Sequence, residues 1–460
     1  MKQNRRNAIL AALVFAGAFF AADMALAADA APQPQPPQKE VQVLTISQGI
    51  AMVLHDSRLI RVALPGKDMA FQDSMMARSA LLPHFQAAAS QTFNRYASAV
   101  KFGSTTAGTA DKNYYSYGFD VYQTLFDFGK SLSQYQASKE LVKASDAHID
   151  SIKRLAILEF IVAYFDLLEA EKMIVVAEKE VESLASYLND VEHLYEHGSA
   201  VKNDLLPAQV RLADAKQKLI AARSAREIAA ARLNDILALP LRQKVVVRDM
   251  EMKPPEIPEM EEAWSIAVKE RPEVVFYEDQ IRASALSVRS KAAENLPTIY
   301  ADGGYAYTKN QYEVHQDNAY IALGAKVNLY DGGNAQADMF KERARQRQLR
   351  EEKNKVTEDI KFEIEDSYLT LKDAREKVVV ARDVLSQAAE NVRFYRAKYA
   401  AGAANTTEVL EAITLETKAQ TNYFESDYEV KRSYAKLMYS MGIDLTLLYE
   451  TMEKTHEHVK

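Results

Sequence analysis

The chain contains an internal repeat that keeps its register over most of the sequence. The segment Leu125–Gly129 (LFDFG) recurs 204 residues later as Leu329–Gly333 (LYDGG), and the same spacing continues through the residues that follow. Upstream, Leu82-Pro83 recurs as Leu296-Pro297 at a spacing of 214, so the first copy is ten residues longer between the proline and the Asp-X-Gly turn. A repeat of this length indicates one structural unit built twice.

Each copy carries a long heptad pattern after its Asp-X-Gly turn. No proline interrupts residues 129–198, and a helix of that length would extend roughly 100 Å. Apolar a and d positions predict a left-handed coiled coil. The a positions are Phe160, Leu167, Ile174, Val181, Leu188 and Tyr195 in the first copy, and Ile364, Leu371, Val378, Leu385, Val392 and Tyr399 in the second. A second helical pattern follows a glycine in each copy, which predicts long antiparallel hairpins over 129–238 and 333–441.

Between the Leu-Pro and Asp-X-Gly motifs, apolar and polar residues alternate with the period of a β-strand. This pattern predicts one strand pair in 84–126 and another in 298–330, joined by polar connections over 101–113 and 309–318. Strands of about ten residues with aromatic residues near their ends are typical of outer-membrane proteins. The smallest membrane barrels need about eight strands, so a barrel would have to be shared by at least two chains.

The two ends of the chain differ from the repeats in composition. Residues 1–27 combine a basic start, an apolar run and the small residues Ala25 and Ala27, which predicts a cleaved signal peptide. Residues 28–44 are rich in Pro and Gln and are predicted to be a disordered tether. The repeats then occupy 45–242 and 243–442, each opening with a helix, and 443–460 is predicted to be a mobile polar tail.

Several classes of function are disfavoured by the sequence. It has no cysteine, so it has no disulfide, and its net charge of −7 argues against nucleic-acid binding. We find no G-x-S-x-G, HExxH, P-loop or Rossmann motif, and therefore expect neither an enzyme nor a cofactor. His193 and His197 lie one helical turn apart, but two histidines without a carboxylate partner are a weak metal signal, and we interpret them as a surface pair.

The order of these motifs resembles that of the TolC-like outer membrane efflux protein family. The resemblance covers nearly the whole chain and rests on the duplicated Leu-Pro strand start, the Asp-X-Gly turn, the heptad helix ending in Tyr-X-X-Gly, and Arg271-Pro272-Glu273. It implies a mainly α fold with a small β part. Duplicated coiled-coil hairpins would form an α-barrel in the periplasm, and four strands per chain would contribute to a shared trimeric twelve-stranded barrel in outer-membrane lipid. It also implies a passive exit duct for efflux or type I secretion, with a periplasmic adaptor and an inner-membrane transporter as partners.

The resemblance assigns functional residues to the tips of the two hairpins and to the turns above them. The predicted gate residues are Tyr195, Asp204, Tyr399, Glu408 and Glu411. The predicted adaptor contacts are His197, Gly198, Ser199, Ala401, Gly402 and Ala403. The predicted strand-to-helix turns contain Asp127, Gly129, Asp331, Gly332 and Gly333.

Simpler roles stay open for the same residues. Asp204 and Glu408 stand at helix starts, where carboxylates cap helices and stabilise the helix dipole. Tyr195 and Tyr399 occupy a positions and could be core or interface residues. For the whole chain, the alternative function is a soluble periplasmic coiled-coil scaffold, which would be extracted without detergent.

Overall fold

The computed structural model describes residues 43–198, 200–250 and 257–458, with side chains up to residue 455. The predicted signal peptide, most of the predicted tether and Ser199 therefore lie outside the described residues. The fold is mostly helical, as predicted. None of the helices in the described ranges is both long enough and apolar enough to cross a membrane.

The duplicated helical hairpins are confirmed. Helix α3 (Lys130–Glu196) and helix α7 (Asn334–Ala400) each contain 67 residues. Their return helices, α4 (Lys202–Ile236) and α8 (Thr406–Ser440), each contain 35. The spacing of 204 relates all four helices residue by residue at both ends, so the repeat in the sequence is a repeat of the backbone.

Shorter helices precede the strands of each copy. The first copy opens with β1 (Val43–Leu44), α1 (Ile46–Asp56) and α2 (Arg58–Ser79). The second opens with α5 (Met260–Glu270) and α6 (Pro272–Ala292). Gly49 lets α1 lie directly on α3, because a Cβ there would stand 1.9 Å from the ring of Phe160.

The four predicted long strands form one antiparallel sheet. They are β2 (His84–Phe93), β5 (Asn113–Phe126), β7 (Thr298–Thr308) and β8 (Asp317–Lys326), and their order in the sheet is β2-β5-β7-β8. The central β5–β7 pair joins the first copy to the second. Strands β2 and β8 are the two edges.

The register separates the sheet into an apolar and a polar face. Ala87 pairs with Phe119, Phe119 with Tyr305, and Tyr305 with Ala319, so these residues share one face. The same face carries Phe85, Ala89, Tyr117, Val121, Ala301, Ile321 and Leu323. The opposite face carries Gln86, Ser90, Ser116, Asp120, Tyr122, Asp302, Asn318 and Tyr320.

The extra residues of the first copy are structured. The connection predicted as a polar loop over 101–113 contains most of a small hairpin, formed by β3 (Ala99–Phe102) and β4 (Thr105–Gly108). One side of this hairpin lies against the second copy, because a Cβ on Gly108 would stand 3.0 Å from the ring of Tyr312.

Two predictions about the ends of the repeats are wrong. Val43 and Leu44 belong to the predicted tether, but they pair in parallel with β6 (Val246–Val247). The predicted tail 443–460 contains helix α9 (Leu445–His458). Leu445 and Tyr449 stand one turn apart on α9 and are buried in the core, and this apolar burial holds the segment in place.

The core is divided between two levels of the helical hairpins. The larger cluster includes Phe160, Leu167 and Leu371, which were predicted at a positions and are fully buried. The second cluster lies near the hairpin tips and joins Tyr187 and Val191 to residues of α4 and α8. Both clusters contain residues from both copies, so the two hairpins pack side by side.

Candidate functional site at the hairpin tips

Each hairpin reverses direction at a glycine in the left-handed conformation. The φ angle is 75° at Gly198 and 70° at Gly402, a region that disfavours any side chain. The N–H of Gly402 donates to the carbonyl of Tyr399 at 2.9 Å, and the N–H of Ala403 donates to Lys398 at 2.8 Å. These two bonds form a Schellman motif, which ends α7 and turns the chain into α8.

The second tip contains a helix cap built on a gate candidate. The side-chain oxygen of Asn405 accepts from the N–H of Glu408 at 3.0 Å, and the Glu408 carboxylate accepts from the N–H of Asn405 at 2.8 Å. This reciprocal pair is a capping box. Glu408 therefore caps the start of α8 within the chain, and this role is independent of any role in a gate. Glu411 is exposed one turn further along α8.

Asp204 caps the first tip and also reaches the second hairpin. One carboxylate oxygen, Oδ2, accepts from the N–H of Val201 at 3.2 Å. The other, Oδ1, accepts from the hydroxyl of Thr406 at 2.9 Å. Thr406 is 4% exposed, so its hydroxyl has little access to water and the carboxylate is its natural partner. We call this hydrogen bond the tip bridge.

Two tyrosines extend the tip bridge into the packed interior. The hydroxyl of Tyr399 lies 3.5 Å from that of Thr406, and its ring meets the ring of Tyr187 edge-on at a centroid distance of 5.3 Å. Burial raises the pKa of Tyr187 well above the usual tyrosine value, so this phenol stays neutral. The bridge is therefore supported on one side by aromatic packing.

The two copies of the repeat differ at this site. Tyr399 is half-buried beside Tyr187, whereas its repeat equivalent Tyr195 is 42% exposed and lies outside the cluster. Thr406 and Tyr187 were not predicted as site residues. A sequence signal for Thr406 exists, because the equivalent residue in the first copy is Lys202 and the repeat is broken there.

The remaining tip candidates are exposed turn residues. His197, Ala401 and Ala403 are accessible, and Ser199 lies outside the described residues. The ring of His197 contacts the carbonyl of His193 at 2.7 Å, and His193 lies 3.9 Å from the carboxylate of Glu196. Among the residues that the structure describes, no group of three or more His, Asp or Glu side chains is arranged to hold a metal ion.

The strand-to-helix turns have the same geometry in both copies. Asp127 accepts from the N–H of Gly129 at 3.1 Å and of Ser131 at 2.8 Å. Asp331 accepts from the equivalent residues, Gly333 and Ala335, at 3.0 and 2.8 Å. Each aspartate thus satisfies free N–H groups at the start of a 67-residue helix. The turns direct both long helices away from the sheet.

Ion pairs of a buried arginine connect helices between the turns and the tips. Arg271 is 6% exposed, binds Glu273 at 2.9 Å and Glu363 at 3.2 Å, and stacks on the ring of Tyr439. Burial raises the pKa of Glu363 above its usual value. The Arg-Pro-Glu motif therefore joins α6 to both helices of the second hairpin.

The chain matches one protein family over both copies of the repeat. Residues 50–239 and 264–443 match the family described as outer membrane efflux protein. Outer membrane efflux protein BepC of Brucella suis is 22% identical over 353 residues, which cover 75% of this chain and 76% of BepC. Outer membrane protein TolC of Vibrio cholerae is 24% identical over 295 residues, covering 61% and 63%.

Solved structures show the same fold. The outer membrane protein VceC of Vibrio cholerae superposes with a TM-score of 0.76 at 15% identity, covering 86% of this chain and 96% of VceC. The long hairpins, the four-stranded sheet and the turns between them are thus those of a known architecture. Because the family match spans both copies of the repeat, the chain belongs to the TolC-like outer membrane efflux protein family and is a transport protein of the outer membrane.

Proposed function

We propose that three copies of this chain form one passive duct, with a barrel in the outer membrane and a helical tube that extends into the periplasm. The observation that carries the proposal is the sheet. It has one apolar and one polar face and ends in two edge strands, β2 and β8, whose outer edges have no partner strand within the described part of the chain. Unpaired strand edges within lipid would leave backbone N–H and C=O groups without partners, which is costly.

Assembly through these edges would pair the backbone groups of both edge strands and would direct the apolar face to lipid. If β8 of one copy pairs with β2 of the next, three copies supply twelve strands and close the sheet. The apolar face then meets lipid, and the polar face with Asp120 and Asp302 lines the lumen. The helices that start at the Asp-X-Gly turns continue the duct on the periplasmic side.

The hairpin tips would form the periplasmic gate. Three-fold symmetry turns Asp204, Glu408 and Glu411 each into a ring of three carboxylates around the mouth. Rings of negative charge attract cations and repel anions at a constriction. The tip bridge would hold the first hairpin against the second in the closed state, and its release would let the hairpins separate.

The exposed tip turns would dock the partners of the duct. A passive duct needs an energy source, and the chain has no nucleotide-binding motif. We assign energy coupling to an inner-membrane transporter, reached through a periplasmic adaptor that binds the turns around Gly198 and Gly402. The system would then be a tripartite efflux pump or a type I secretion apparatus.

Conductance in planar bilayers tests this proposal. The purified protein should run as a trimer, require detergent for extraction, and conduct ions with a preference for cations. Conductance should rise when Asp204, Glu408 and Glu411 are neutralised together. A purified trimer that forms no pore even after this neutralisation would refute the proposed function.

A further inference from the structure

Two helices lie at the ends of a row of four near the sheet. Helix α2 packs on α3, α3 packs on α6, and α6 packs on α7. Helix α2 leads into the edge strand β2, and α7 follows the edge strand β8. Wherever the β8 edge of one copy meets the β2 edge of the next, α7 of the first copy must therefore run beside α2 of the second, in the opposite direction.

Ion pairs within the chain establish which residues of α2 and α7 lie at the same level. Lys130 and Lys291 both bind Glu294, and Lys291 also binds Asp338, so α3 and α7 begin at one height. Lys67 of α2 binds Asp146 of α3 at 2.6 Å. The repeat equivalent of Asp146 on α7 is residue 350, so the part of α2 just after Lys67 shares the level of residues 340–350.

The outward side of α2 has the pattern of a coiled-coil seam. Val62, Met69 and Met76 are spaced by seven residues and are 80%, 65% and 64% exposed. Asp68 and Asp73 flank this apolar stripe on opposite sides, both are exposed, and neither makes an ion pair with any residue that the structure describes. Apolar stripes flanked by charge are the surfaces through which helices select partners.

Helix α7 carries the opposite charge at the same level. Phe340 is 52% exposed, and Lys341, Arg345 and Arg347 around it are exposed and form no ion pair within the described part of the chain. In the first copy, the positions equivalent to Lys341 and Arg345 are Ala137 and Leu141. These two positive charges are thus specific to the edge helix and are not needed for the repeated fold.

We infer that α2 and α7 form an inter-subunit seam in which Met76 packs on Phe340, Asp68 pairs with Arg347, and Asp73 pairs with Lys341 and Arg345. The inference rests on the proposed trimer and names the partner of each edge as a second copy of this chain. In an antiparallel pair at the level defined by Lys67, helical periodicity brings Asp68 to the side of Arg347. It brings Asp73 to the side of Lys341. Both aspartates therefore meet positive charge, which favours this register over shifted ones.

Cysteine cross-linking tests the seam directly, because the natural chain has no cysteine. Gln72 and Ala344 are exposed and stand at the centre of the facing sides at one level. The variant Gln72→Cys with Ala344→Cys should give disulfide-linked dimers and trimers on non-reducing gels. Each single variant, and the pair Gln72→Cys with Glu358→Cys, displaced by about 21 Å along α7, should not.

The possible results distinguish a failure of the seam from a failure of the proposed function. An intact wild-type trimer without cross-linking in the matched pair would overturn the seam and leave the duct unaffected. Equal cross-linking in the displaced pair would overturn the register. A wild-type protein that is monomeric in detergent would refute the trimer, and the seam with it.

Charge exchange tests the Asp68–Arg347 pair. Asp68→Arg and Arg347→Asp should each lower the temperature at which the trimer dissociates on a gel, because each places like charges across the seam. The double variant should recover most of the loss. The control combines Asp68→Arg with Arg289→Asp on the interior helix α6, and this variant should recover none of the lost dissociation temperature. The pairing would be refuted if the dissociation temperature of the double variant fell by the sum of the decreases in the two single variants.

Discussion

The hydroxyl of Thr406 donates to the carboxylate of Asp204 at 2.9 Å and joins two hairpin tips that lie 202 residues apart in the chain. Asp204 uses its second oxygen to cap its own helix, so one side chain serves both hairpins. A bond of this kind is strong enough to bias a closed state and weak enough to be broken by a partner, because hydrogen bonds to charged groups contribute about 1.5–3 kcal/mol.

Removal of the Thr406 hydroxyl should weaken the closed state. Thr406→Val keeps the shape of the buried side chain and leaves Asp204 without its inter-hairpin donor, so single-channel conductance at neutral pH should rise. Thr407→Val is the matched control, because Thr407 is the exposed neighbour. Equal conductance in the two variants would show that the tip bridge has no part in gating.

Neutralising the acidic tip residues should change both conductance and selectivity. Asp204→Asn with Glu408→Gln preserves side-chain size and one acceptor oxygen in each side chain but removes six charges from a trimeric mouth. We expect a higher conductance at neutral pH and a lower cation preference, measured from the reversal potential in a salt gradient. If neither quantity changes, these residues act only as helix caps.

A methyl group at Gly49 should destabilise the fold. A Cβ at this position would lie 1.9–2.8 Å from three ring atoms of Phe160, which is itself fully buried. Gly49→Ala should therefore lower the free energy of unfolding by about 1–3 kcal/mol, the usual effect of overpacking. Gly66→Ala is the control: a Cβ there meets nothing within 4 Å. It should be neutral or stabilising by up to about 1 kcal/mol. Thermal unfolding of both variants measures the difference.

Acid should remove the stabilisation that Asp249 provides. Burial acts to raise its pKa, but Lys431 at 3.3 Å and Lys172 at 3.1 Å outweigh burial and hold the pKa below its usual value. A carboxyl group with a lowered folded-state pKa stabilises the fold above its unfolded pKa of about 4 and loses this effect as the pH falls through the folded value.

Asp249→Asn should consequently be less stable than the wild type at pH 7, and the gap should narrow below about pH 4. Denaturant unfolding of both proteins between pH 7 and pH 3 measures this gap. A gap that stays constant over the whole range would show that the charge of Asp249 does not stabilise the fold.

Much of the fold could be predicted because its signals are local. The heptads of Phe160 and Leu371, the glycines of the tips and the Asp-X-Gly turns each act within a few residues, and the structure contains all of them as predicted. The family match also excludes the soluble scaffold that the sequence alone left open, since it assigns the chain to the outer membrane.

The two wrong predictions concern segments whose structure depends on distant partners. Val43 and Leu44 become a strand only because Val246 and Val247, about 200 residues away, pair with them. Tyr449 holds α9 in place only because a core formed by both copies buries it. In each case the segment alone has too little apolar surface to order itself, and burial against remote elements provides the stabilisation.

The duplicated architecture can be read from the amino-acid sequence, since heptad periodicity and turn chemistry act between residues that are close along the chain. The differences between the two copies arise from tertiary packing. Tyr195 and Tyr399 are equivalent in the repeat, but side-by-side packing of the hairpins places Tyr399 against Tyr187 and leaves Tyr195 exposed. The same packing brings Thr406 to Asp204. Contacts between residues so far apart in sequence depend on the relative placement of whole helices, and no local pattern specifies that placement.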